Sequence, residues 1–452
     1  MATRKSNVVL VNTSVERALR SVGHVLITVI VILVGPTWVA AAPPGRDLSG
    51  LAKAKELGRN WPSFRGSDGS GVSMHTDVPT KWDGASGEGI LWKTPVPLPG
   101  VNSPIVWEDR VFLSGATKDR RELFCFYAAS GKILWRTDVA RGSSRPDKPI
   151  KTNKDIGYAA PTMATDGQRV YAMFATGDVA AVDFAGNKVW SRSLGIPKNH
   201  YGHASSLAIH DELVIVQFDQ GSPKDDRSKL LALDGASGKT IWQVTRQVPA
   251  SWCSPIVVER QSRPLVITCS DPWVVAYSAQ SGAEIWRADC LAPAEIGPSP
   301  IYSDGMVFAA NEYATLSAIR ADGSGDVSDT HIVWSADVGL PDISGPLATD
   351  ELILVVASYG TLTCYDKMKG GDPLWEEDFD TDFVSSPSLV GDRVYLFDKE
   401  GKAWIVEPTR KKCKRIAEAD LGEGCVTSPA FQDGRIYIRG AEHLFCIGEP
   451  SE

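Results

Sequence analysis

The chain has 452 residues, 43% of them hydrophobic and 23% charged, with 41 glycines, 28 prolines and a formal net charge of −8. That composition belongs to an ordered globular protein and excludes a largely disordered one. The acidic balance, with no basic run interleaved with aromatics, argues against nucleic acid as a partner; the densest basic cluster, Arg410 to Lys412 with Lys414 and Arg415, reads as a solvated strand or loop.

Arg4, Lys5, Arg17 and Arg20 precede an uncharged stretch from Val25 to Gly45 that contains LITVIVILVG and the small residues Ala40, Ala41 and Ala42. A basic start, an apolar run and small residues mark a secretory signal, with cleavage expected after Ala40 or Ala41. The run also approaches the roughly 20 residues of a spanning helix, so an uncleaved anchor, tethering the protein to a membrane, is the alternative. Residues 1–41 are therefore assigned as signal peptide or anchor, and the protein as exported, to the periplasm or cell envelope. Their loss removes four basic side chains and Glu16, which takes the net charge from −8 to −11. A lead-in segment follows over 42–87, then a repeat region over 88–447 and a short tail over 448–452.

From Val101 onward one pattern recurs: a Ser-Pro-type start, an apolar strand, a Gly or Asp turn, two further strands, then Gly and Trp. The starts are Pro104, Pro161, Ser206, Pro255, Pro300, Pro346, Pro387 and Pro429. Eight repeats of this length, each built of short alternating segments such as Arg169-Val-Tyr-Ala-Met-Phe, predict an all-β, eight-bladed propeller with four-stranded blades. The last repeat ends after three strands. Ile90-Leu-Trp-Lys-Thr-Pro-Val96 matches the fourth strands at Ile133-Leu-Trp135 and Thr240-Ile-Trp242, and so is predicted to complete blade eight and close the ring.

Three segments carry a more specific signal: Cys125-Phe-Tyr-Ala-Ala-Ser-Gly-Lys-Ile-Leu-Trp135, Ala232-Leu-Asp-Gly-Ala-Ser-Gly-Lys-Thr-Ile-Trp242 and Ala276-Tyr-Ser-Ala-Gln-Ser-Gly-Ala-Glu-Ile-Trp286. They resemble the eleven-residue tryptophan-docking motif of the quinoprotein (pyrroloquinoline quinone)-like β-propeller repeat family. Trp92, Trp190, Trp334 and Trp375 stand at equivalent places, and the resemblance spans about residues 90 to 447. The lead-in Asn60-Trp-Pro-Ser-Phe-Arg-Gly66 with Gly69-Ser-Gly-Val is similar to that of exported planctomycete-type propeller proteins. The repeats also resemble the propeller subunit of the outer-membrane β-barrel assembly machinery. These seven tryptophans read as structural: a large ring laid on the neighbouring blade, with Gly permitting the turn before it. Blade seven has Arg415 or Ile416 where the Trp is expected, so its interface is predicted to be the weakest.

Cys125, Cys364 and Cys446 fall at the third-strand slot that Ala181, Ala232, Ala276 and Ala318 fill elsewhere, and read as small core residues. A bond between Cys253 and Cys269, on adjacent strands of one blade, is geometrically open but not implied. No C-x-x-C occurs, and no lipid-accepting Cys lies near the signal, a departure from the assembly-machinery lipoproteins.

In a propeller the loop entering each first strand and the turn between second and third strands share one channel mouth. The entering loops supply Asn102, Tyr158, His203, Trp252, Ile343, Phe383 and Val426, and the turns supply Asp178, Asp219, Asp271, Glu312, Tyr359 and Asp398. Together they predict an aromatic and acidic funnel concentrated on blades two to four, with Tyr158, His203, Asp219, Trp252 and Asp271 as candidate ligand contacts. His200, His203 and Asp219 could form a metal- or ligand-binding group, or could simply satisfy loop backbone. No metal site and no catalytic residue are assigned.

The resemblance implies two roles. In quinone-dependent alcohol or sugar dehydrogenases the propeller holds pyrroloquinoline quinone with calcium, an adjacent Cys-Cys pair and a Trp. This chain has no adjacent cysteines, and its carboxylates do not match the calcium ligands one by one. The assembly-machinery relatives imply a binding or scaffold module, with no cofactor and a protein partner met by channel-face loops. Gly142 to Asn153, Ser222 to Ser228 and Gly323 to Thr330 are the expected partner loops. The binding module is the preferred expectation, the dehydrogenase the alternative.

Overall fold

The structure, a computed structural model, describes residues 56–139, 152–259 and 263–450; the signal or anchor segment and most of the 142–153 loop lie outside them. Second and third strands are almost continuously apolar because each is packed between two neighbouring sheets: Arg121–Tyr127 and Leu265–Ser270 have nearly every side chain buried. Fourth strands alternate, as Ile133–Asp138 and Thr240–Thr245 do, because they form the outer rim with one side in water. First and second strands meet in tight hairpins whose leading residue is left-handed, as at Asp304 (φ 49°) before Gly305 and Asp433 (φ 49°) before Gly434.

Among the described residues these elements form eight separate sheets, six of four strands and two of five, whose strands follow chain order outward from the channel except where Val72–Ser73 and Ile90–Pro95 join blades seven and eight. The result is the eight-bladed ring expected from the repeats. Blade eight takes Ile90–Pro95 as its outer strand, antiparallel to His443–Ile447 with Trp92 opposite Cys446, so the chain ends are joined as predicted. The two five-stranded sheets carry additions. Val72–Ser73 lies parallel to Ser388–Val390 on the channel side of blade seven. Gly325–Asp326 lies parallel to the outer strand of blade four, and Val327 and Ser328 extend the attachment to Arg287 and Asp289. The Gly323 to Thr330 segment, expected as a partner loop, thus covers an edge strand, where unpaired backbone groups need a cover.

Each predicted docking tryptophan bridges to the next blade. The indole N–H donates to a carbonyl of the following sheet: Trp92 to Ala128 at 2.9 Å, Trp135 to Phe184 at 3.0 Å, Trp190 to Gly235 at 2.8 Å and Trp242 to Ala279 at 3.0 Å. Trp286, Trp334 and Trp375 do the same to Ala321, Lys367 and Thr409. Five of the seven rings, those of Trp92, Trp135, Trp190, Trp242 and Trp334, lie on a turn glycine with positive φ, so a Cβ at Gly131 would enter Trp92 and one at Gly238 would enter Trp190. On its own sheet each Trp stands opposite a small residue, Cys125, Ala181, Ala232, Ala276, Ala318, Cys364 or Cys446. That pairing explains those three cysteines, whose thiols burial pushes up to about 12.

Blade seven departs from the sequence reading. Its docking slot, opposite Ile405, is Ala417 rather than Arg415 or Ile416. Arg415 turns instead toward blade six, over Phe379 and Trp404 and bonded to Glu377 at 2.8 Å. The lead-in covers the gap: Trp82 is 4% exposed, stacks on Phe397 and belongs to one buried cluster with Leu421, Ala419, Tyr437 and Phe445. Asp83 extends this cover by bridging to Asp420.

Toward the axis a second set of contacts joins the blades. The backbone N–H of Ser103 donates to the Thr162 hydroxyl, Thr162 to Ser206, Ser206 to Ser254, and Ser254 to Ser299. Gly345 donates to Ser386, Ser386 to Ser428, and Ser428 back to Ser103. Seven of the eight positions carry a hydroxyl, and blade six has Gly345. There Arg65 of the lead-in takes the space: it is 1% exposed and donates to the Pro346 carbonyl at 2.6 Å, while a Cβ on Gly345 would collide with its Nη1. Gly345→Ser is therefore expected to destabilise by about 1–3 kcal/mol through overpacking. In an Arg65→Ala background the same change fills the vacated space and is expected to cost much less. A thermal-melt double-mutant cycle reads the difference, and additive losses would refute the displacement.

Candidate functional site

Hydrogen bonds link entering loops to second-to-third turns and so place both on one mouth: Ala175 N–H to Tyr158, Phe383 N–H to Ser358, and Lys399 N–H to Asp382. The predicted geometry of that mouth is present. Its chemistry differs from the expected funnel, because most of its polar residues are engaged in holding the fold.

Asp219 and Arg246 are wholly buried, with Arg246 Nη1 at 2.7 and 2.6 Å from the two carboxylate oxygens. Asp219 also accepts from Ser251 and Ser270 at 2.7 Å and from Gln217 at 2.8 Å, while Arg246 donates to Thr268 and Ser270. Asp178 pairs with Arg121 of blade one at 3.0 Å. Asp398 accepts from Trp404 and caps its own turn through Glu400 and Lys402. Asn102 is buried in the seam between blades one and eight, donating to Ser114 and Ala159 and accepting from Arg439. Burial without a carboxylate partner lowers Arg439 to about 9.

The His200, His203 and Asp219 group does not assemble. His203 is 0% exposed against Phe218, and burial lowers its pKa to about 4, so it is neutral under ordinary conditions. His200 points the other way, to Glu295 at 3.2 Å, in an aromatic trio with Tyr201 and Trp252. Of the five candidate contacts, Tyr158, Trp252 and Asp271 are half-buried, while His203 and Asp219 have no accessible surface. Cys253 and Cys269 are buried as free thiols, with Cys253 Sγ 2.9 Å from the Cys269 carbonyl. Among the described residues no group of three His, Cys, Asp or Glu side chains is placed to hold a metal ion.

The most exposed apolar residues of this mouth lie on blades five and six: Tyr313 at 72%, Tyr359 at 58% and Ile343 at 45% exposed. Tyr359 and Ile343 belong to the expected lining; Tyr313, one residue beyond Glu312, was missed. The opposite mouth is crossed by the lead-in. Trp61 pairs with Val106 of blade one, Pro62 accepts from Thr165 of blade two, and Gly71 accepts from Leu389 of blade seven. Sequence reasoning missed Arg65, whose partner carbonyl lies 281 residues away. A cleft of about 980 Å³ lies beside the lead-in, lined by the first-to-second turns of blades two to four.

A family model described as outer membrane protein assembly factor BamB matches residues 62–194, 115–267, 226–328 and 324–411, well over half of the chain. The chain belongs to this family. The assembly factor BamB of Bordetella pertussis is 24% identical over 323 residues, 67% of this chain and 72% of that protein. BamB of Alkalilimnicola ehrlichii is 28% identical over 162 residues, 36% of this chain and 37% of that one. Among solved structures, BamB from Moraxella catarrhalis superimposes with a TM-score of 0.58 at 16% identity, covering 80% of this chain and 98% of that one. Quinohemoprotein alcohol dehydrogenase from Comamonas testosteroni reaches a TM-score of 0.67 at 12% identity, over 89% and 83%. At such identities both likenesses establish the propeller alone. Membership of the BamB family is consistent with an exported protein of the cell envelope.

Proposed function

We propose that this BamB-family propeller is an exported scaffold that binds a protein partner through its channel-face loops and has no catalysis of its own. The observation that carries this reading is the state of the channel mouth. Its buried carboxylates are engaged within the fold, as Asp219 is with Arg246 and Asp178 with Arg121, while its most exposed apolar side chains, Tyr313, Tyr359 and Ile343, lie on two adjoining blades. Rigid sheets holding exposed aromatic loops suit recognition better than acid–base chemistry. The names of the Bordetella and Alkalilimnicola relatives support an assembly role, here extended to this chain.

A quinone with calcium does not fit the residues present. Calcium needs several oxygen ligands, and the buried channel-mouth carboxylates Asp219 and Asp178 already face arginines. No two cysteines are adjacent. Titration of residues 42–452 with pyrroloquinoline quinone and calcium is expected to change neither the quinone absorbance nor the melting temperature. A saturable shift with a rise in melting would overturn the scaffold reading. Affinity capture from the native envelope is expected to return a partner that stays bound through gel filtration; a solitary protein would count against it.

A further inference from the structure

The three most exposed apolar residues of the channel face are gathered on two adjoining blades. Tyr313 lies on the second-to-third turn of blade five, Tyr359 on that of blade six, and Ile343 on the loop entering blade six. The backbone holds these segments firmly. Asp342 accepts from the Ser358 N–H at 3.2 Å, beside Ile343 and Tyr359. The loop entering blade five packs so closely on it that a Cβ at Gly297 would meet the Asp342 carbonyl.

The charge around the patch has one sign. Glu312 precedes Tyr313, Asp342 precedes Ile343, and both, with Glu376, act on the Tyr359 hydroxyl and with burial raise its pKa. Among the described residues none of these three carboxylates is ion-paired. Elsewhere on the ring carboxylates meet cations: Asp166 with Arg169, Asp366 with Arg410, Glu377 with Arg415. Three unpaired negative charges around exposed aromatic and aliphatic side chains specify what fits there, since complementary charge selects and steers the partner.

We infer that the Tyr313, Ile343 and Tyr359 patch of blades five and six is the docking site for a partner-protein segment that presents arginine or lysine next to an aliphatic or aromatic residue. The inference rests on the scaffold reading and names the chemistry of its partner. The apolar side chain packs between the two tyrosines, and the cation meets Glu312 and Asp342 at the rim. Arginine suits this pairing because its planar head can both stack on tyrosine and bond a carboxylate.

The probe is a fluorescein-labelled peptide of alternating arginine and leucine, followed by anisotropy on the mature protein. Saturable binding is expected, weakened at least about tenfold by Tyr313→Ser with Tyr359→Ser and by Glu312→Gln with Asp342→Asn. Binding is also expected to weaken as salt rises, while Asp68→Asn with Glu259→Gln, on the opposite mouth, leaves it unchanged. Equal binding to all variants, or equal binding of a peptide with glutamate in place of arginine, would overturn the inference. So would a concentration-dependent dimer abolished by the tyrosine changes, which would assign the patch to a second copy of the chain. In envelope capture, a partner retained at wild-type level by the tyrosine variant sinks this inference and leaves the scaffold reading standing. A wild-type protein that retains no partner sinks the scaffold reading itself.

Discussion

Deletion of residues 88–96 is expected to give a protein that aggregates instead of folding. The missing strand, Ile90–Pro95, is the outer edge of blade eight, paired along its length with His443–Ile447. Without it those backbone groups stand open as an unprotected edge, a template for pairing between molecules. Trp92 goes with it, and with Trp92 the bond to Ala128 and the packing on Gly131 and Tyr437 of the seam. Loss of a buried tryptophan alone costs about 3–5 kcal/mol, a large share of the about 5–15 kcal/mol that holds a domain folded. Other seam contacts survive the deletion: Arg439 still reaches Leu98 and Ser114, and Ser428 still reaches Ser103. They join the axial side of the blades and leave the rim open. Gel filtration and the soluble fraction measure the outcome, and a soluble, cooperatively melting deletion protein would refute closure by this strand.

Asp219→Ala is expected to destabilise by about 3–5 kcal/mol, because it strands Arg246 in the interior without its partner. Both side chains are 0% exposed, and the carboxylate holds Ser251, Ser270 and Gln217 as well as the guanidinium. Removing both charges together, as Asp219→Leu with Arg246→Met, is expected to cost far less than the sum of the single changes, since a buried pair gives up much of its Coulomb energy to desolvation. Thermal melts of the two single variants and the double read this directly. A small loss in Asp219→Ala, accompanied by loss of partner binding, would return Asp219 to the role of a ligand contact at the channel mouth.

The repeat architecture was legible because it is written many times. Seven tryptophans with a small residue opposite each, and a turn glycine beneath five of the rings, are set by the same close approach, so each copy supports the others. The closing strand could be found because Ile90-Leu-Trp92 copies Ile133-Leu-Trp135. The lead-in offers no second copy. Nothing local to Arg65 says that its head will rest on the carbonyl of Pro346, and nothing near Gly345 says that its missing side chain is the reason. Blades two and three show a smaller slip: Pro161 and Ser206 look like equivalent starts, yet the residues that join the ring of hydroxyls are Thr162 and Ser206, one step apart from that alignment. In the site, the sequence placed Asp219, His203 and Tyr359 on the correct loops. It could not tell the buried from the exposed, because that depends on which way each loop turns and on arginines brought in from other strands.

The ring of hydroxyls and the belt of tryptophans have a joint mechanical meaning. Most blades are fixed to the next at two radii, by one hydroxyl near the axis and one indole near the rim, and two fixed points set the wedge angle of a plate. The residues that span the channel mouth take no part in either fastening. Side chains such as Tyr313 and Ile343 are therefore free to be exchanged without altering the angle between blades, much as the cutting edge of a tool can be replaced while its handle is kept.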